Sequence, residues 1–163
     1  MKFVSSYRRL TQLPSPAKTR FRLDDLFADV VKLATVNWDE LGVSLVTNIE
    51  PSQLDLFADR DMVEQILINI LQNSEHALEN STNGQVSLTA RLNKRGHVTI
   101  EVSDNGPGIP LDITRKIFVP FFTTKREGSG VGLALSRQVM IAHGGTISVS
   151  PDDQGGARFT LIF

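Results

Sequence analysis

Four short stretches carry residue types at spacings that suit chemistry. Gln65, Asn69, Asn73 and His76 recur at intervals of 4, 4 and 3 residues, which lines them along one side of a helix. All are uncharged, where a solvent face would favour Lys and Glu. Amides in a row suit a partly enclosed site, because each can donate and accept hydrogen bonds, and an amide oxygen is an acceptable magnesium ligand. A hydrated helix face is the plain alternative. The second stretch is Asp104-Asn105-Gly106-Pro107-Gly108-Ile109. Two glycines around a proline give a tight loop whose backbone can lie against a flat ligand. An ionised carboxylate only accepts hydrogen bonds, so Asp104 suits an exocyclic amine such as that of adenine and would repel the carbonyl of guanine. An ordinary turn is the alternative there. Third, KIFVPFFTTK (116–125) places three of the nine phenylalanines within five residues, either as packing under a loop or as the anchor of a mobile one. Last, Gly128-Ser129-Gly130-Val131-Gly132-Leu133 opens a helix, where free N–H groups and the dipole form an anion site. This run is not the GxxxxGK[ST] of a P-loop, a Rossmann GxGxxG would follow a strand, and no HRD or DFG element is present.

The elements that must hold these residues follow from periodicity. Met62, Val63, Ile66, Leu67, Ile70, Leu71, Ala77 and Leu78 form an apolar stripe, predicting a helix over 61–79 with Asp61 as its cap and Glu64 as the capping-box partner. Leu23, Leu26, Phe27, Val30, Val31 and Ala34 predict another over 23–38,. Strands are expected at 43–47 and 54–58, a hairpin at 86–92 and 98–102, and a closing hairpin at 146–150 and 157–163. Residues 104–128 read as loop with a helical stretch near 111–117. A helix over 130–143 ends at Gly144-Gly145. The order predicts an α/β two-layer sandwich, a mixed sheet with helices on one face. Residues 1–22 are expected to be the end of a preceding helix, closed by Pro14-Ser15-Pro16, plus linker, and residues 23–163 one domain.

Composition narrows the function classes. The 163 residues suit a single core, and 40% hydrophobic with 21% charged residues excludes a disordered chain,. No apolar run approaches the ~20 residues of a membrane span, and residues 1–10 are no signal peptide. With no cysteine, disulfides, thiolate metal sites and a cysteine nucleophile are excluded,. The three scattered histidines speak against a histidine metal cluster. Residues 1–22 hold six basic residues and no acid, while the remainder has 11 basic against 18 acidic. A basic arm can touch nucleic acid or headgroups, but it reads here as a solvated lead-in. Nine of the twelve glycines follow Asp104, where loops need unusual backbone angles or close ligand approach,.

Taken together and in order, these stretches resemble the catalytic ATP-binding domain of bacterial sensor histidine kinases, within the superfamily shared with gyrase and the mismatch-repair ATPases. QILINILQNSEHAL (65–78) is similar to its N box, DNGPGI to its first glycine box, KIFVPFFTTK to its F box and GSGVGLALS (128–136) to its second glycine box. The closing GGARFTLIF is similar to its final hairpin. The resemblance implies the Bergerat ATP-binding fold and Mg-ATP as ligand. Asp104 would bind the adenine amine, with Gly106, Gly108 and Ile109 shaping the base pocket. Asn73 would reach the magnesium, with Asn69 beside the metal and triphosphate and His76 near phosphate. Thr124, Lys125, Gly128, Ser129, Gly130, Val131, Gly132 and Leu133 would form a short lid over the phosphates, as in kinases related to nitrogen-regulation sensors. Thr160 would make a water-mediated base contact. Hydrolytic relatives place a glutamate at the position of Asn69, and an amide cannot take a proton from water, so phosphoryl transfer is implied over hydrolysis. The implied acceptor is a histidine on a dimerisation domain, which YRRLTQLP (7–14) resembles only at its end. None of His76, His97 and His143 matches the acceptor's HE/D-x-x-x-P-like sequence. The resemblance further implies a response-regulator partner, no nucleic acid, a monomeric fragment of a homodimer, and a cytoplasmic domain of a kinase anchored in the inner membrane. A gyrase-like machine, an anti-sigma serine kinase and a degenerate scaffold are the competing readings. Asn69 argues against the first, the F box against the first two, and intact Asn73, Asp104 and loop glycines against the third.

Overall fold

The structure is a computed structural model describing residues 2–163. It contains α1 (Lys2–Thr11), β1 (Thr19–Arg22), α2 (Leu23–Ala34), α3 (Trp38–Leu41), β2 (Val43–Glu50), β3 (Asp55–Ala58), α4 (Arg60–Leu78), β4 (Gly84–Leu92), β5 (Val98–Asp104), α5 (Gly132–Ala142), β6 (Thr146–Pro151) and β7 (Ala157–Ile162). Five strands form one sheet in the order β2-β4-β5-β7-β6, with β2 parallel to β4 and the other pairs antiparallel. β1 and β3 make a separate antiparallel pair.

Period-two alternation gives the sheet one apolar face. Val86, Leu88, Ala90, Ile100, Val102, Phe159 and Leu161 are buried, opposite the buried stripes of α2 (Leu23, Leu26, Phe27, Val30), α4 (Val63, Ile66, Leu67, Ile70, Leu71) and α5 (Ala134, Val139, Met140). Each fully buried aliphatic side chain contributes about 1.5–3 kcal/mol, so this single interface is where the fold's stability resides. The other sheet face is mostly polar, with Ser87, Thr89, Ser103 and Thr160 beside the charged Arg91, Glu101 and Arg158. The predicted two-layer α/β sandwich with a mixed sheet is therefore the observed architecture.

Several local expectations change. The cap of α4 is Asp59, whose carboxylate accepts from the Met62 N–H at 3.2 Å. The cap thus lies two residues before the predicted Asp61, which falls inside the first turn, and Glu64 pairs with Arg60 (3.1 Å) instead of closing a capping box. The helix expected over 23–38 stops at Ala34, where the Thr35 hydroxyl bonds the Val31 carbonyl (2.7 Å). Trp38 then opens α3, with its indole N–H donating to Glu75 at 2.6 Å. Residues 19–22, read as linker, form β1. Residues 111–117 form turns, with only scattered bonds such as Thr114 N–H to Pro110 O (3.2 Å), rather than a helix.

Candidate functional site

Two neighbouring residues of α4 point to two halves of one site. Ser74 lies on the core face, where a hydroxyl needs a partner, and its Oγ donates to Asp104 Oδ2 at 3.4 Å. Asn73, one residue earlier and about 100° around the helix, accepts from Lys125 Nζ at 2.7 Å through its Oδ1. The last residue of β5 and the loop before α5 are thus joined through adjacent positions of one helix.

Asp104 is only 5% exposed. Its Oδ1 accepts the Gly106 N–H (3.0 Å) and, more weakly, the Ala157 N–H (3.5 Å). Burial pushes its carboxyl above the ordinary aspartate value. The Gly106, Ala157 and Ser74 donors pull it back, and Asp152 adds to the rise. Glycines crowd this carboxylate. A Cβ at Gly106 would lie 2.9 Å from Oδ1, and one at Gly156 would overlap the Asp104 backbone. Beside them opens a cleft of about 490 Å³ lined by Pro107, Gly108, Ile109, Pro110, Pro151, Gly155 and Gly156. Asn105 fixes the loop by accepting from the Gln85 N–H (2.7 Å) and donating to Asn83 O (3.0 Å).

The second half is built on α5. Asn69 Nδ2 donates to Ser136 Oγ at 3.3 Å, and Ser136 Oγ bonds back to Gly132 O at 2.9 Å. A Cβ on Gly132 would overlap the Asn69 amide, so the start of α5 is packed directly on α4. The loop ahead of it folds on itself: Phe121 N–H donates to Gly130 O (2.8 Å), and Lys125 N–H to Thr123 Oγ1 (3.0 Å). Gly130 (φ 66°) and Phe121 (φ 67°) both hold left-handed backbone, an unfavourable state for an aromatic residue. Desolvation lowers the Lys125 ammonium pKa, partly opposed by Glu79.

The structure brings together Asn69, Asn73, Asp104, Gly106, Gly108, Lys125 and Gly132, with Ile109, Val131 and Leu133 packed beneath. Thr124 and Ser129 are exposed on the loop, and Gly128 is tucked under Thr123. His76 sits at the rim, its Nδ1 2.6 Å from Glu79. Gln65 is exposed one turn before Asn69. Thr160 is not brought to the site. It pairs with Glu101 and Ser148 on the polar face of the sheet, because the buried Phe159 and Leu161 fix the alternation of β7. Ala157 is the β7 residue that meets Asp104. Sequence reasoning missed Ser74 and Ser136. Both are serines at buried helix positions, which is itself a signal that the hydroxyl has a polar partner.

The catalytic domain of histidine kinase ThkA superposes with a TM-score of 0.80 at 31% identity, covering 90% of this chain and 94% of that one. ThkA in complex with the response regulator protein TrrA gives 0.82 at 27% identity, over 99% of this chain and 46% of that one. Full-length ShkA, solved with AMPPNP, gives 0.84 at 26%, over 99% and 35%. Fold and site therefore define a two-layer sandwich of the histidine-kinase catalytic type. The model for histidine kinase-, DNA gyrase B- and HSP90-like ATPases matches residues 58–163, and the chain belongs to that family. The signal transduction histidine-protein kinase AtoS of Escherichia coli K12 is 36% identical over 140 residues, which is 86% of this chain and 23% of AtoS. The chain spans 17–33% of the length of the curated relatives it matches. No helix among the described residues is long and apolar enough to cross a membrane.

Proposed function

We propose that this chain is the part of a two-component sensor histidine kinase that binds Mg-ATP and donates the γ-phosphate to a histidine on a dimerisation domain. The observation that carries the reading is the buried Asp104 carboxylate. It is walled by glycines where a Cβ would intrude, and Gly108 and Gly156 next to it line a cleft, which fits a flat base presenting an amine. Oδ1 is held by backbone donors, so Oδ2, which meets only the Ser74 hydroxyl, is the oxygen for the adenine amine. The donor set also fits magnesium of one kind only. Among the described residues no three acidic or histidine groups gather into a metal cage, so the metal would arrive on the triphosphate and take one amide oxygen, Asn73 Oδ1. Bound there, magnesium supplies charge neutralisation between the phosphates.

The chain's own residues do the rest. Lys125, now on Asn73, is placed to move its ammonium onto phosphate as the loop from residue 120 to 131 closes, and Gly128, Gly130 and Gly132 let backbone N–H groups approach anionic oxygens. Thr124, Ser129, Val131 and Leu133 complete that loop, and His76 offers a polar rim. Asn69, tied to Ser136, holds its amide beside the triphosphate without a base that would activate water, so ATP is kept for the acceptor histidine. In the whole protein the partners are this domain's own dimerisation segment and a response regulator, in a homodimer anchored in the inner membrane, with no nucleic acid involved.

Calorimetric titration tests the pocket. ATP with magnesium should bind clearly more tightly than GTP, because the guanine carbonyl faces the carboxylate. Equal affinities would overturn the adenine assignment.

A further inference from the structure

The ends of α4 and α5 far from the site are joined by a node that also holds the incoming chain. Asp59 uses all of its polar groups there. Its Oδ1 caps α4 at Met62 N–H (3.2 Å), its Oδ2 accepts the Ala17 N–H (2.8 Å), its carbonyl accepts the Val63 N–H (3.0 Å), and its own N–H donates to His143 Nε2 (3.0 Å). His143 closes α5: its Nδ1 bonds Val139 O at 2.8 Å, and its ring stands edge-on to Phe163. With Nε2 accepting and Nδ1 donating, only the neutral Nδ1–H form satisfies both partners. Lys18 Nζ reaches His143 O at 3.5 Å, so the lead-in touches both members of the pair.

The two helices run antiparallel from this clasp. Asp59–His143 pins the start of α4 to the end of α5, and roughly 15 Å along α4 Asn69 joins the same helices again, bonding Ser136 in the second turn of α5 and packing on Gly132 at its start. Helices packed this tightly shift as units, so a displacement at one pin alters the other. We infer that Asp59 and His143 are positioning residues that couple the segment at residues 16–18 to the alignment of Asn69, Gly132 and Ser136. A pull on the lead-in is read at the Asp59 carboxylate and delivered as a change in the α4–α5 register. The link to catalysis rests on the ATP reading above, while the link between the two pins does not.

Asp59→Asn separates the arm from the cap, because asparagine caps a helix as well as aspartate does but turns an NH2 toward the Ala17 N–H. His143→Gln can place Oε1 where Nε2 accepts, and His143→Phe keeps the ring and loses both bonds. In the nucleotide-free chain, Asp59→Asn and His143→Phe should shift the amide NMR signals of Asn69, Gly132 and Ser136, and His143→Gln should restore most of the parent spectrum. With Mg-ATP, the first two should bind about five-fold more weakly, the lower end of typical coupling between sites. By the same reciprocity, ATP should slow exchange of the Ala17 amide in the parent only. Shifts confined to residues around 17, 59 and 143, with ATP affinity unchanged, would overturn the coupling. If the parent bound no ATP, the functional reading would fall, and the nucleotide-free spectra would still decide the clasp.

Discussion

At the scale of single residues, Asp104 sets stability against binding. Its folded pKa is raised, chiefly by burial, so the native state holds this proton more tightly than the unfolded chain. The stability it contributes is present at low pH and lost as pH rises from the ordinary aspartate value through the raised folded one. At neutral pH the ionised carboxylate therefore costs stability. Asp104→Asn removes that cost and keeps an acceptor for the Gly106 and Ala157 N–H groups, with its NH2 toward Ser74 Oγ. Differential scanning calorimetry should show the nucleotide-free variant melting higher than the parent. ATP titration should show it binding weaker by roughly 1.5–3 kcal/mol, the worth of a charged hydrogen bond. In the parent, ATP affinity should fall as pH drops through the raised Asp104 pKa, because the protonated carboxyl presents a donor to the amine. A variant that bound ATP like the parent would show that the carboxylate does not meet the base. Asn73→Ala removes both the partner of Lys125 and the amide oxygen offered to the metal. It should weaken Mg-ATP far more than metal-free ATP in parallel titrations.

At the scale of elements, the loop between β5 and α5 depends on backbone that only a few residues adopt. Gly130 is left-handed, and a Cβ there would lie 2.5 Å from the Phe121 carbonyl carbon. Backbone cannot step aside as a flexible side chain can, so Gly130→Ala should cost about 1–2 kcal/mol from the backbone angle alone. Amide exchange across residues 120–130 should speed up in this variant while α4 keeps its protection. This loop's glycines, the α4 stripe and Asp104 were legible because each rests on local chemistry: helical periodicity, turn residues and charge. What was not legible depends on register or distant pairing. β1 has a single apolar residue, Phe21, among two arginines and a threonine, and becomes a strand only because β3 lies against it. Asp59 outcompetes Asp61 as cap because β3 ends at Ala58 and fixes where α4 begins. Thr160 looked available until Phe159 settled which side of β7 is buried, since one residue of register reverses every side chain.

At the scale of the molecule, one sheet face and three helices make a rigid platform, and the site lies where β5 ends and α5 begins, with α4 spanning both halves. On the proposed reading, that arrangement separates a base pocket at Asp104, fixed by buried contacts, from a phosphate end at the exposed loop before α5. Binding the base and positioning the γ-phosphate are thus distinct tasks. The account also requires that ATP be held without being spent on water, because Asn69 is an amide bonded to Ser136 rather than a carboxylate poised on a water molecule. The most direct test supplies γ-labelled ATP and magnesium to this chain, alone and mixed with the histidine-bearing dimerisation segment of its own kinase. The account predicts slow hydrolysis and no label on the chain alone, and an acid-labile, base-stable phosphate on the segment's histidine when both are present, abolished by Asn73→Ala. Rapid release of phosphate by the chain alone, or undiminished transfer by the Asn73→Ala variant, would contradict it.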